Sequence, residues 1–511
     1  MLRLRLRPRL SKPPLPRPRT MATRSIALDP QETAFVQLLD AFATAQNPPV
    51  ECRIAGGWVR DKILALPSAD LDIALSISSG YAFAASFVDF LHTKGVSTGS
   101  VGKVVANPEQ SKHLETGCTR IMGLECDFVG LRSEKYTDSR IPQVEPGTPY
   151  EDASRRDLTI NALFYNVHTR QIEDWTEKGL VDLENQIART PLAPRQTFQD
   201  DPLRIVRCVR FASRFNLHIA EDAFECIKED DVKLGIVDKV SKERIGIEMT
   251  KMIHKNPYRA LELIHQLGLH PYVFHCDVNP PRHEAFAAAQ ILNALSDRKQ
   301  LDEMLWLATA ATPFRHLDVR RKGKSVPATA IVIGEGLKLS TEIKSSVSNL
   351  FDAVKVIDPG ATRRSDIGAV LQLPSVRPWR RSLVWAVVME VLPQWRGDWD
   401  EAAEDVYQKY EDFEARIESL GLPAAIDQPL LLNGNDVQSL LSISPGPLIT
   451  VIRQSLNLWQ LDHPEATRDQ AEEWLKSQWE GQQRVEWEKL APPRVMNKKT
   501  KKAEPGEKRK R

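Results

Sequence analysis

The sequence predicts an α+β fold, in which a small head with a mixed sheet is followed by an all-helical neck, body and tail. Two observations carry this prediction. Strand candidates occur only before residue 175, at residues 51–55, 70–75, 125–131, 162–166 and 172–174. Beyond Pro191 the apolar runs have helical spacing, at residues 201–215, 221–230, 241–254, 257–267, 283–310, 341–356, 400–420 and 447–460.

Composition divides the chain into five segments. They are a basic leader (1–28), the mixed head (29–190), a helical neck (191–270), a helical body and tail (271–490) and a basic end (491–511). A length of 511 residues is enough for several domains with ample cores. Because no run approaches 18 apolar residues, the sequence predicts no membrane-spanning segment and no membrane partner.

The formal net charge of +1 conceals a strong asymmetry along the chain. Residues 1–28 carry eight Lys and Arg and no acid, and residues 494–511 carry nine Lys and Arg and two acids. About −14 charges therefore remain on the middle of the chain. An acidic body does not attract nucleic acid through its bulk charge, so any such binding must use local basic faces.

The Arg-rich, acid-free leader resembles an organelle transit peptide. Its five prolines and its alternation of Leu with Arg oppose a helix, so a disordered basic leader with another role stays an alternative. A start at Met21 would remove most of the leader. This suggests a mitochondrial product from Met1 and a cytoplasmic or nuclear product from Met21. The folded part is expected to begin near Leu28, where Asp29-Pro30 opens the first helix.

Two further features bear on the compartment. The six cysteines are scattered without a C-x-x-C pair, which argues against a zinc site or a disulfide scaffold and favours a reducing compartment. The Lys and Arg clusters at 498–502 and 508–511 suit nuclear import or nonspecific RNA contact, with a merely solvating tail as the alternative.

Residues 53–75 predict a strand, a glycine turn, a short helix and a second strand. Period-two alternation places Asp70 and Asp72 on one face of the second strand, clear of the core, where two carboxylates can share a divalent cation. Gly56 and Gly57 precede the helix, and glycines before a helix N-terminus let a phosphate approach the backbone. Arg60 and Asp61 follow on the first helical turn. Arg60 is included in the predicted nucleotide site, and a solvated surface pair is the alternative for the two residues.

This stretch resembles a known family. G-G-W-V-R-D followed by D-L-D is similar to the head of the class II nucleotidyltransferases in the DNA polymerase beta superfamily, which contains the tRNA nucleotidyltransferases (CCA-adding enzymes) and bacterial poly(A) polymerases. Further motifs follow in the family's order, namely R-R-D at 155–157, D-W-T-E-K-G-L-V-D-L at 174–183, D-D-P-L-R at 200–204 and S-K-E-R-I-G-I-E-M at 241–249. N-G-N-D at 433–436 and P-G-P at 445–447 resemble the eukaryotic enzymes, so the likeness covers roughly residues 30–470.

The resemblance implies an enzyme that adds C, C and A to the tRNA 3′ end from CTP and ATP with two Mg²⁺ ions. It implies no obligate protein partner. Asp70 and Asp72 would be the catalytic metal ligands. Asp127, on the strand C-D-F-V-G-L-R, is a candidate third ligand, although class II members rely on two acids.

The R-R-D motif is expected to bind the nucleotide. Arg155 and Arg156 offer fork-shaped donors for a triphosphate, and Asp157 can accept from a ribose 2′-OH. These are the roles that the family assigns to the motif. A charged helix N-terminus is the alternative for all three residues.

The motif at 200–204 is expected to select the base. In the family its acid and arginine read the incoming base without a nucleic-acid template, here Asp201 and Arg204. A carboxylate accepts from the amine of C or A and a guanidinium donates to the neighbouring ring nitrogen, whereas G and U present the reverse pattern. Asp201 is also a natural N-cap for a helix with Pro202 at its first position. Asp200 stands where many bacterial members have Glu, which leaves its role open.

The helix that follows carries an arginine stripe. Arg204, Arg207, Arg210 and Arg214 recur at three- and four-residue spacing, which favours contact with a polyanion. Arg207 is included in the predicted nucleotide site. The apolar residues of this helix are expected to face elsewhere: Leu203, Val206, Val209 and Phe211.

Other segments resemble supporting parts of the family. Residues 103–123 look like the mobile loop needed for the final A, with His113 and Glu115 as candidate loop residues. Gly179 suits a hinge where the head meets the helices, with a helix C-cap as the alternative. The motif at 241–249 predicts a supporting ion-pair network of Glu243, Arg244 and Glu248.

Three functions are compatible with these sequence features. CCA addition to tRNA is the leading one. A poly(A) polymerase of the same architecture is the second, and a non-catalytic RNA-binding relative is the third. Intact Asp70 and Asp72 argue against the last of these.

Overall fold

The computed structural model describes residues 26–68, 70–104, 115–135 and 142–492. The chain forms two compact units, one up to residue 347 and one from residue 348 onward. The division into leader, head, neck, body and basic end stays a prediction. No helix in the described ranges is long and apolar enough to cross a membrane.

The head is built on a mixed sheet. In the described part of the chain seven strands pair in the order β3-β4-β5-β2-β1-β8-β9. Only the β2–β5 pairing is parallel. The strands are β1 (Cys52–Ala55), β2 (Asp70–Leu75), β3 (Gly102–Val104), β4 (Thr116–Ile121), β5 (Leu124–Gly130), β8 (Phe164–Asn166) and β9 (Ile172–Glu173).

Three further strand pairs lie outside this sheet. In the described ranges they are the hairpin of β6 (Arg132–Lys135) and β7 (Gln143–Pro146), the parallel pair of β10 (Ile187–Ala188) and β11 (His218–Ile219), and the hairpin of β12 (Asp318–Arg321) and β13 (Lys324–Pro327).

Besides short 3-10 helices at Thr159–Asn161 and Thr312–Phe314 and a π-helix at Val332–Gly336, fifteen α-helices of the first unit lie within the described ranges. They are α1 (Pro30–Thr44), α2 (Gly57–Ile63), α3 (Gly80–Thr93), α4 (Pro149–Ser154), α5 (Gly179–Glu184), α6 (Pro194–Asp200), α7 (Leu203–Phe215), α8 (Glu221–Lys228), α9 (Asp230–Lys239), α10 (Lys242–Lys255), α11 (Pro257–Gln266), α12 (His270–Val273), α13 (His283–Ala294), α14 (Glu303–Ala311) and α15 (Ala328–Ile331).

The remaining helices run to the end of the described part. They are α16 (Thr341–Val354), which includes the boundary between the units, then α17 (Arg364–Leu371), α18 (Trp379–Val391), α19 (Glu401–Ser419), α20 (Leu422–Ala425), α21 (Gly434–Leu441), α22 (Pro447–Asp462), α23 (Arg468–Glu480) and α24 (Gln483–Leu490).

One face of the head sheet is covered by aromatic residues of α1 and α3. Phe87 of α3 lies 6.0 Å from Phe128 of β5 between ring centroids, and Phe42 of α1 lies 5.2 Å from Phe87. As predicted, the first helix begins at Pro30, where Asp29 and Glu32 form a capping box. This packing leaves the other face of β2 free for polar side chains.

The long helical region contains breaks that the sequence pattern did not show. The predicted run at 283–310 is two helices, because Asp302 accepts from the N–H groups of Met304 and Leu305 and starts α14 afresh. The β12–β13 hairpin interrupts the predicted all-helical region. Its turn residues Lys322 and Gly323 both have positive φ, 49° and 79°, as a two-residue hairpin turn of type I′ requires.

The second unit is helical in its described part. Its C-terminal core surrounds the buried Trp487, whose Nε1 donates to Ser455 Oγ at 2.8 Å. The N-G-N-D motif forms the start of α21, where Asn433 and Asp436 make a reciprocal capping box. The structural role of this motif is therefore helix initiation.

Candidate functional site

The strand β2, the helix α7 and the R-R-D turn enclose a cleft of about 620 Å³ within the first unit. It is strongly polar, with nine arginines and seven carboxylates among its described lining residues. The arginines are Arg60, Arg132, Arg155, Arg156, Arg204, Arg207, Arg210, Arg214 and Arg244. The carboxylates are Asp61, Asp70, Asp72, Glu134, Asp152, Asp157 and Asp201.

The glycine turn closes one side of the cleft. Gly56 has φ +68°, and a Cβ placed on it would lie 2.7 Å from Arg156 Nη1 and 3.2 Å from the carbonyl oxygen of Asn161. Only glycine fits this backbone and this close approach. The helix α2 begins at Gly57, so this glycine is the first residue of the helix rather than preceding it as predicted, and both glycines line the cleft at the N-terminus of α2.

The two acids of β2 point into the cleft. Asp70 and Asp72 are exposed while Leu71 and Ile73 are buried, as period-two alternation predicts. Although solvent reaches Asp72, desolvation within the cleft raises the pKa of its carboxyl group. Arg156 opposes this increase, and the like charges of Asp127 and Asp70 add to it.

A divalent cation fits this pair of acids, because like-charged hard oxygen donors on a rigid strand are the ligands that Mg²⁺ prefers. The parallel pairing of β2 with β5 places Asp127 directly beside Asp72 in the sheet, with its side chain exposed on the same face. Asp127 does not line the cleft, however. In the described residues no group of three or more His, Cys, Asp or Glu is gathered to hold a metal ion.

The two arginines of R-R-D are held by one buried acid. Asp152 Oδ2 lies 2.7 Å from Arg155 Nη2, and Asp152 Oδ1 lies 2.9 Å from Arg156 Nη2. Burial alone would raise the pKa of Asp152, but the charges and hydrogen bonds of Arg156 and Arg155 lower it to about 2. Arg156 also donates to the carbonyl of Asn161 at 3.2 Å. The guanidinium groups are thus fixed beside the glycine turn.

The acid of R-R-D joins this turn to α7. Asp157 Oδ1 accepts from the N–H of Leu158 at 2.8 Å and from Asn161 Nδ2 at 3.0 Å. Its Oδ2 accepts from Arg207 Nε at 2.8 Å. Desolvation opposes ionisation, yet Arg207 and these hydrogen bonds lower the pKa of Asp157 to about 2. A nucleotide hydroxyl would meet an ionised carboxylate that already has protein partners.

The predicted base-selecting pair lies at the start of α7. Asp201 accepts from the N–H of Leu203 at 3.2 Å and from Arg244 Nη2 at 3.0 Å. Arg204 is buried, and its Nη2 donates to the carbonyl of Arg155 at 2.6 Å. The helix begins at Leu203 with Pro202 at the N-cap position, so the predicted N-cap at Asp201 is one residue early. Asp201 nevertheless satisfies one N–H of the first turn.

The arginine stripe of α7 faces the cleft, but each of its cations has a protein acid nearby. These pairs are Arg204 with Glu134, Arg207 with Asp157, Arg210 with Glu248, and Arg214 with Asp61. Contrary to the expectation that both face elsewhere, Leu203 lines the cleft, and so does Phe211. Phe211 lies four residues after Arg207 on the same side of the helix, and Arg210 stacks 3.8 Å from its ring centroid.

Arg60 and Asp61 do not form the solvated surface pair that was the alternative. Both are buried, with Arg60 Nε 2.8 Å from Asp61 Oδ1. Arg60 also donates to Asn161 and lies 4.5 Å from the ring centroid of Phe215. Burial lowers the pKa of this guanidinium against the opposing effect of Asp61. Arg60 therefore connects α2 to α7 beneath the cleft.

Known proteins share both the sequence and the fold. Residues 52–189 match the family described as the poly(A) polymerase head domain, and residues 216–279 match the one described as a probable RNA and SrmB-binding site of polymerase A. The tRNA nucleotidyltransferase cca1 of Schizosaccharomyces pombe is 34% identical over 88% of this chain and 97% of its own length. The mitochondrial CCA tRNA nucleotidyltransferase of Candida glabrata is 32% identical over 90% of this chain and 97% of its own length.

This chain belongs to the CCA tRNA nucleotidyltransferase family. The Bacillus stearothermophilus CCA-adding enzyme in complex with CTP has the same fold, with a TM-score of 0.62 at 18% identity over 91% of this chain and all of that one. The α+β prediction is confirmed.

Several predicted residues of the tRNA nucleotidyltransferase site lie outside the cleft. Glu115 accepts from Ser79 Oγ at 3.0 Å and pairs with Lys103 at 2.7 Å. His113 lies outside the described residues. Asp200 is the last residue of α6 and does not line the cleft; desolvation raises its pKa.

Gly179 is not the helix C-cap that was the alternative, because α5 begins there. A Cβ on this residue would lie 2.6 Å from the carbonyl oxygen of Thr159, so close packing accounts for the glycine. The predicted network of α10 holds for Arg244 and Glu248, which pair with residues of the 201–210 region. Glu243 is wrongly included, since it is exposed and forms no ion pair with any residue that the structure describes.

Two acids that form ion pairs with arginines of the cleft were not identified from the sequence. Asp152 precedes Arg155 and Arg156 by three and four residues, a spacing that could have identified it. Glu134 lies 3.1 Å from Arg155 and 3.6 Å from Arg204, with only 5% of its side chain exposed. Its partners are distant in sequence, and its period-two spacing from Arg132 on β6 was the available signal.

Proposed function

We propose that this protein adds C, C and A in turn to the 3′ end of tRNA, using CTP and ATP. The terminal hydroxyl oxygen of the tRNA attacks the α-phosphorus of the nucleotide. A new phosphorus–oxygen ester bond forms, the bond to the β-phosphate bridging oxygen breaks, and pyrophosphate leaves. The relatives that share nearly the whole chain carry this activity in their names.

The observation that carries the proposal is the convergence of three predicted motifs on one cleft. The acids Asp70 and Asp72, the glycine turn with R-R-D, and the pair Asp201 and Arg204 all line it. These parts supply a place for the reacting groups, a cationic triphosphate site and a donor–acceptor pair for a base. A nucleotide with its α-phosphate near β2 would engage all three.

We further propose that Asp70 and Asp72 hold two Mg²⁺ ions, with Asp127 beside them as a supporting carboxylate. When bound, Mg²⁺ lowers the pKa of the attacking hydroxyl and stabilises charge on the leaving group. The protein's share is to fix the two donors on a rigid strand whose opposite face is packed in the core.

The triphosphate and ribose sites follow from the fixed guanidinium groups. Asp152 holds Arg155 and Arg156 in place, so little side-chain entropy is lost when they bind phosphate. The ionised Asp157 accepts a hydrogen bond from a ribose 2′-OH in the proposed complex. Arg207, already bound to Asp157, adds a second cation at the same position.

Base selection belongs to Asp201 and Arg204 in this proposal. Each oxygen of Asp201 accepts one hydrogen bond from protein, so acceptor capacity remains for the exocyclic amine of C or A. Arg204 is anchored by the carbonyl oxygens of Arg155 and Thr197, which fix its plane. G and U offer the opposite polarity and would leave buried groups unpaired.

In the same proposal, each segment of the chain has its own function. Residues 29–190 supply the chemistry, residues 191–270 select the base, and residues 271–490 bind the tRNA body. The strand β4 occupies Thr116–Ile121, which corrects the predicted loop at 103–123 to the segment between β3 and β4. In this proposal that segment, with His113 and Glu115, and the hinge at Gly179 would adjust the site for the last nucleotide.

The deciding experiment supplies the purified protein with tRNA that lacks its terminal CCA. Labelled CTP alone should add two C residues, ATP alone should add none, and the two together should complete CCA. Repeated addition of A without C would indicate a poly(A) polymerase. No incorporation under any condition would leave a non-catalytic RNA-binding protein and refute both enzymes.

We propose two destinations for the protein. Curated relatives include mitochondrial CCA enzymes of Candida glabrata and Saccharomyces cerevisiae. Translation from Met1 would send the product to mitochondria, and translation from Met21 would leave it in the cytoplasm or nucleus. Fluorescent fusions with Met21 replaced by Ala, or with residues 1–20 deleted, should each occupy one destination. Identical distributions of the two fusions would contradict the proposal.

A further inference from the structure

A second cavity of about 270 Å³ lies between α11, α12 and α13. Its walls are mostly apolar and include Leu261, Ile264, Ala285 and Phe286. None of its described lining residues also lines the cleft described above. The cavity is smaller than typical pockets for drug-sized ligands, which run from about 300 Å³ upward.

One cation in this cavity lacks an anionic partner. In the described part of the chain, Arg282 forms no ion pair with a carboxylate. Its Nη2 donates to Asn279 Oδ1 at 2.8 Å, its plane lies 4.5 Å from the ring centroid of Phe314, and its Nε is buried without a hydrogen-bond partner. Burial lowers the pKa of Arg282 to about 10, so the group remains charged at neutral pH.

The neighbouring histidine cannot balance this charge. His270 is buried and its Nε2 donates to the carbonyl of Ala310 at 2.9 Å, which leaves Nδ1 as an acceptor 3.5 Å from Arg282 Nη1. Desolvation lowers the pKa of His270 to about 3, so the ring is neutral. A neutral acceptor orients the guanidinium but supplies no negative charge.

The helix α13 adds to the positive potential. Arg282 occupies the N-cap position of this twelve-residue helix, and no side chain caps the free N–H groups there. A cation at the positive end of a helix is unfavourable. The acid in the first turn, Glu284, is bound to Arg315 at 2.9 Å. A guanidinium without a carboxylate partner and an uncapped helix end therefore meet at one mostly apolar cavity.

We propose that this cavity binds a small organic anion, namely a phosphate monoester or carboxylate joined to an aromatic or apolar group. The anionic group would bind Arg282 through charge-assisted hydrogen bonds and approach the N-terminus of α13. The apolar body would pack against Ile264 and Phe286. His265, stacked 4.6 Å from Phe286 between ring centroids, borders the entrance.

The test is ¹⁹F NMR titration of the full chain with 4-fluorophenyl phosphate, 4-fluorobenzoate and the uncharged 4-fluorophenol. At least one anion should bind saturably with a dissociation constant below about 1 mM, and 4-fluorophenol should bind at least about tenfold more weakly. Excess CTP should not displace the bound anion. Arg282→Met should weaken anion binding about ten- to hundredfold, because a hydrogen bond to a charged group is lost.

Two further variants separate the site from general effects of charge and folding. Arg320→Met removes the same charge from an exposed position and should leave binding unchanged. Ala285→Leu keeps Arg282 but fills the cavity, and it should abolish binding. The proposal would be overturned if neither anion bound saturably or if Arg282→Met bound the anion as tightly as the wild type. It would also be overturned if CTP displaced the anion or if 4-fluorophenol bound equally well.

Discussion

Arg207 binds a single oxygen of Asp157 through two nitrogens, with Nε and Nη2 at 2.8 and 2.7 Å from Oδ2. This pair joins the R-R-D turn of the head to the helix that carries the base-selecting arginine. Asp157 is buried, whereas Arg207 has 35% of its side chain exposed and lies 3.8 Å from Glu248, so breaking the pair removes hydrogen bonds of the carboxylate and leaves Arg207 with a more distant acid. The Arg207–Asp157 pair therefore links the proposed triphosphate site to the proposed base site.

Asp157→Asn should destabilise the first unit by about 1.5–3 kcal/mol, the usual contribution of a hydrogen bond to a charged group, because it weakens the pair with Arg207. Thermal melting followed by circular dichroism would measure the decrease in Tm. Asp231→Asn is the matched control, since it breaks an exposed pair with Arg195 and should cost at most about 1 kcal/mol. Equal shifts in the two variants would contradict the structural role of Asp157.

Stability should fall at acid pH because of Asp152 and Asp157. Both groups have a pKa of about 2 in the folded protein, below the value of about 3.9 expected for an unfolded chain. Their contribution is therefore complete above pH ~4 and is lost as pH falls toward 2. Melting temperatures between pH 5 and pH 2.5 should fall less steeply for Asp152→Asn than for the wild type. Parallel profiles would show that Asp152 does not contribute.

Gly56→Ala should reduce nucleotide incorporation by at least about tenfold, because the new Cβ would collide with Arg156 in addition to straining a φ of +68°. Gly95→Ala separates the two effects. Gly95 has φ +72° but nothing within 4 Å of an added Cβ, so this variant should lose stability alone. Steady-state rates with CTP provide the comparison. Similar activity in both variants would refute the close approach as the cause.

The sequence predicted those parts of the site that depend on local periodicity. Alternation along β2 identified the exposed faces of Asp70 and Asp72, and motif spacing identified R-R-D and the Asp201–Arg204 pair. For Glu134 the only local signal was its period-two spacing from Arg132, because its other partners, Arg155 and Arg204, lie 21 and 70 residues away along the chain. For the same reason, the placement of Phe211 against the cleft depended on partners brought by other elements.

The helical region shows a similar limit. Amphipathic spacing located α7, α10, α11 and α22 to within a few residues, but it joined α13 to α14. The cap at Asp302 and the Lys322-Gly323 turn are short local signals, and average hydrophobic periodicity does not detect them. Tertiary contacts then determine which of these helix caps and turns forms in the folded protein.

Glu134→Gln should loosen base selection without removing the reacting groups. Glu134 pairs with both Arg155 and Arg204, so loss of its charge removes one of the contacts that hold the Arg204 guanidinium, in addition to its two backbone carbonyl partners. We expect increased misincorporation of UMP relative to CMP, with tRNA affinity retained. Single-turnover incorporation of each nucleotide measures this ratio. Glu145→Gln on the same hairpin is exposed and should behave as wild type; unchanged selectivity in Glu134→Gln would contradict the positioning role.

Arg204→Ala should relax base choice more than it weakens nucleotide binding. The guanidinium is held by two backbone carbonyl groups, so its removal leaves a cavity beside the base and withdraws one discriminating donor. The ratio of kcat/KM for CTP to that for UTP should fall by about tenfold or more, since one well-placed hydrogen bond contributes about 1–3 kcal/mol. If Arg204→Ala lowers kcat/KM equally for all nucleotides, Arg204 contributes to nucleotide binding alone and not to base choice.

The central claim is that the exposed acids of β2 perform the chemistry. Single-turnover incorporation of CMP into tRNA lacking CCA tests it directly, with Asp72→Ala compared with Asp89→Asn, an exposed acid on α3. Asp72→Ala should lower the rate by about 10³-fold or more while tRNA still binds, and Asp89→Asn should react as wild type. A rate for Asp72→Ala within a few-fold of the wild type would contradict the account.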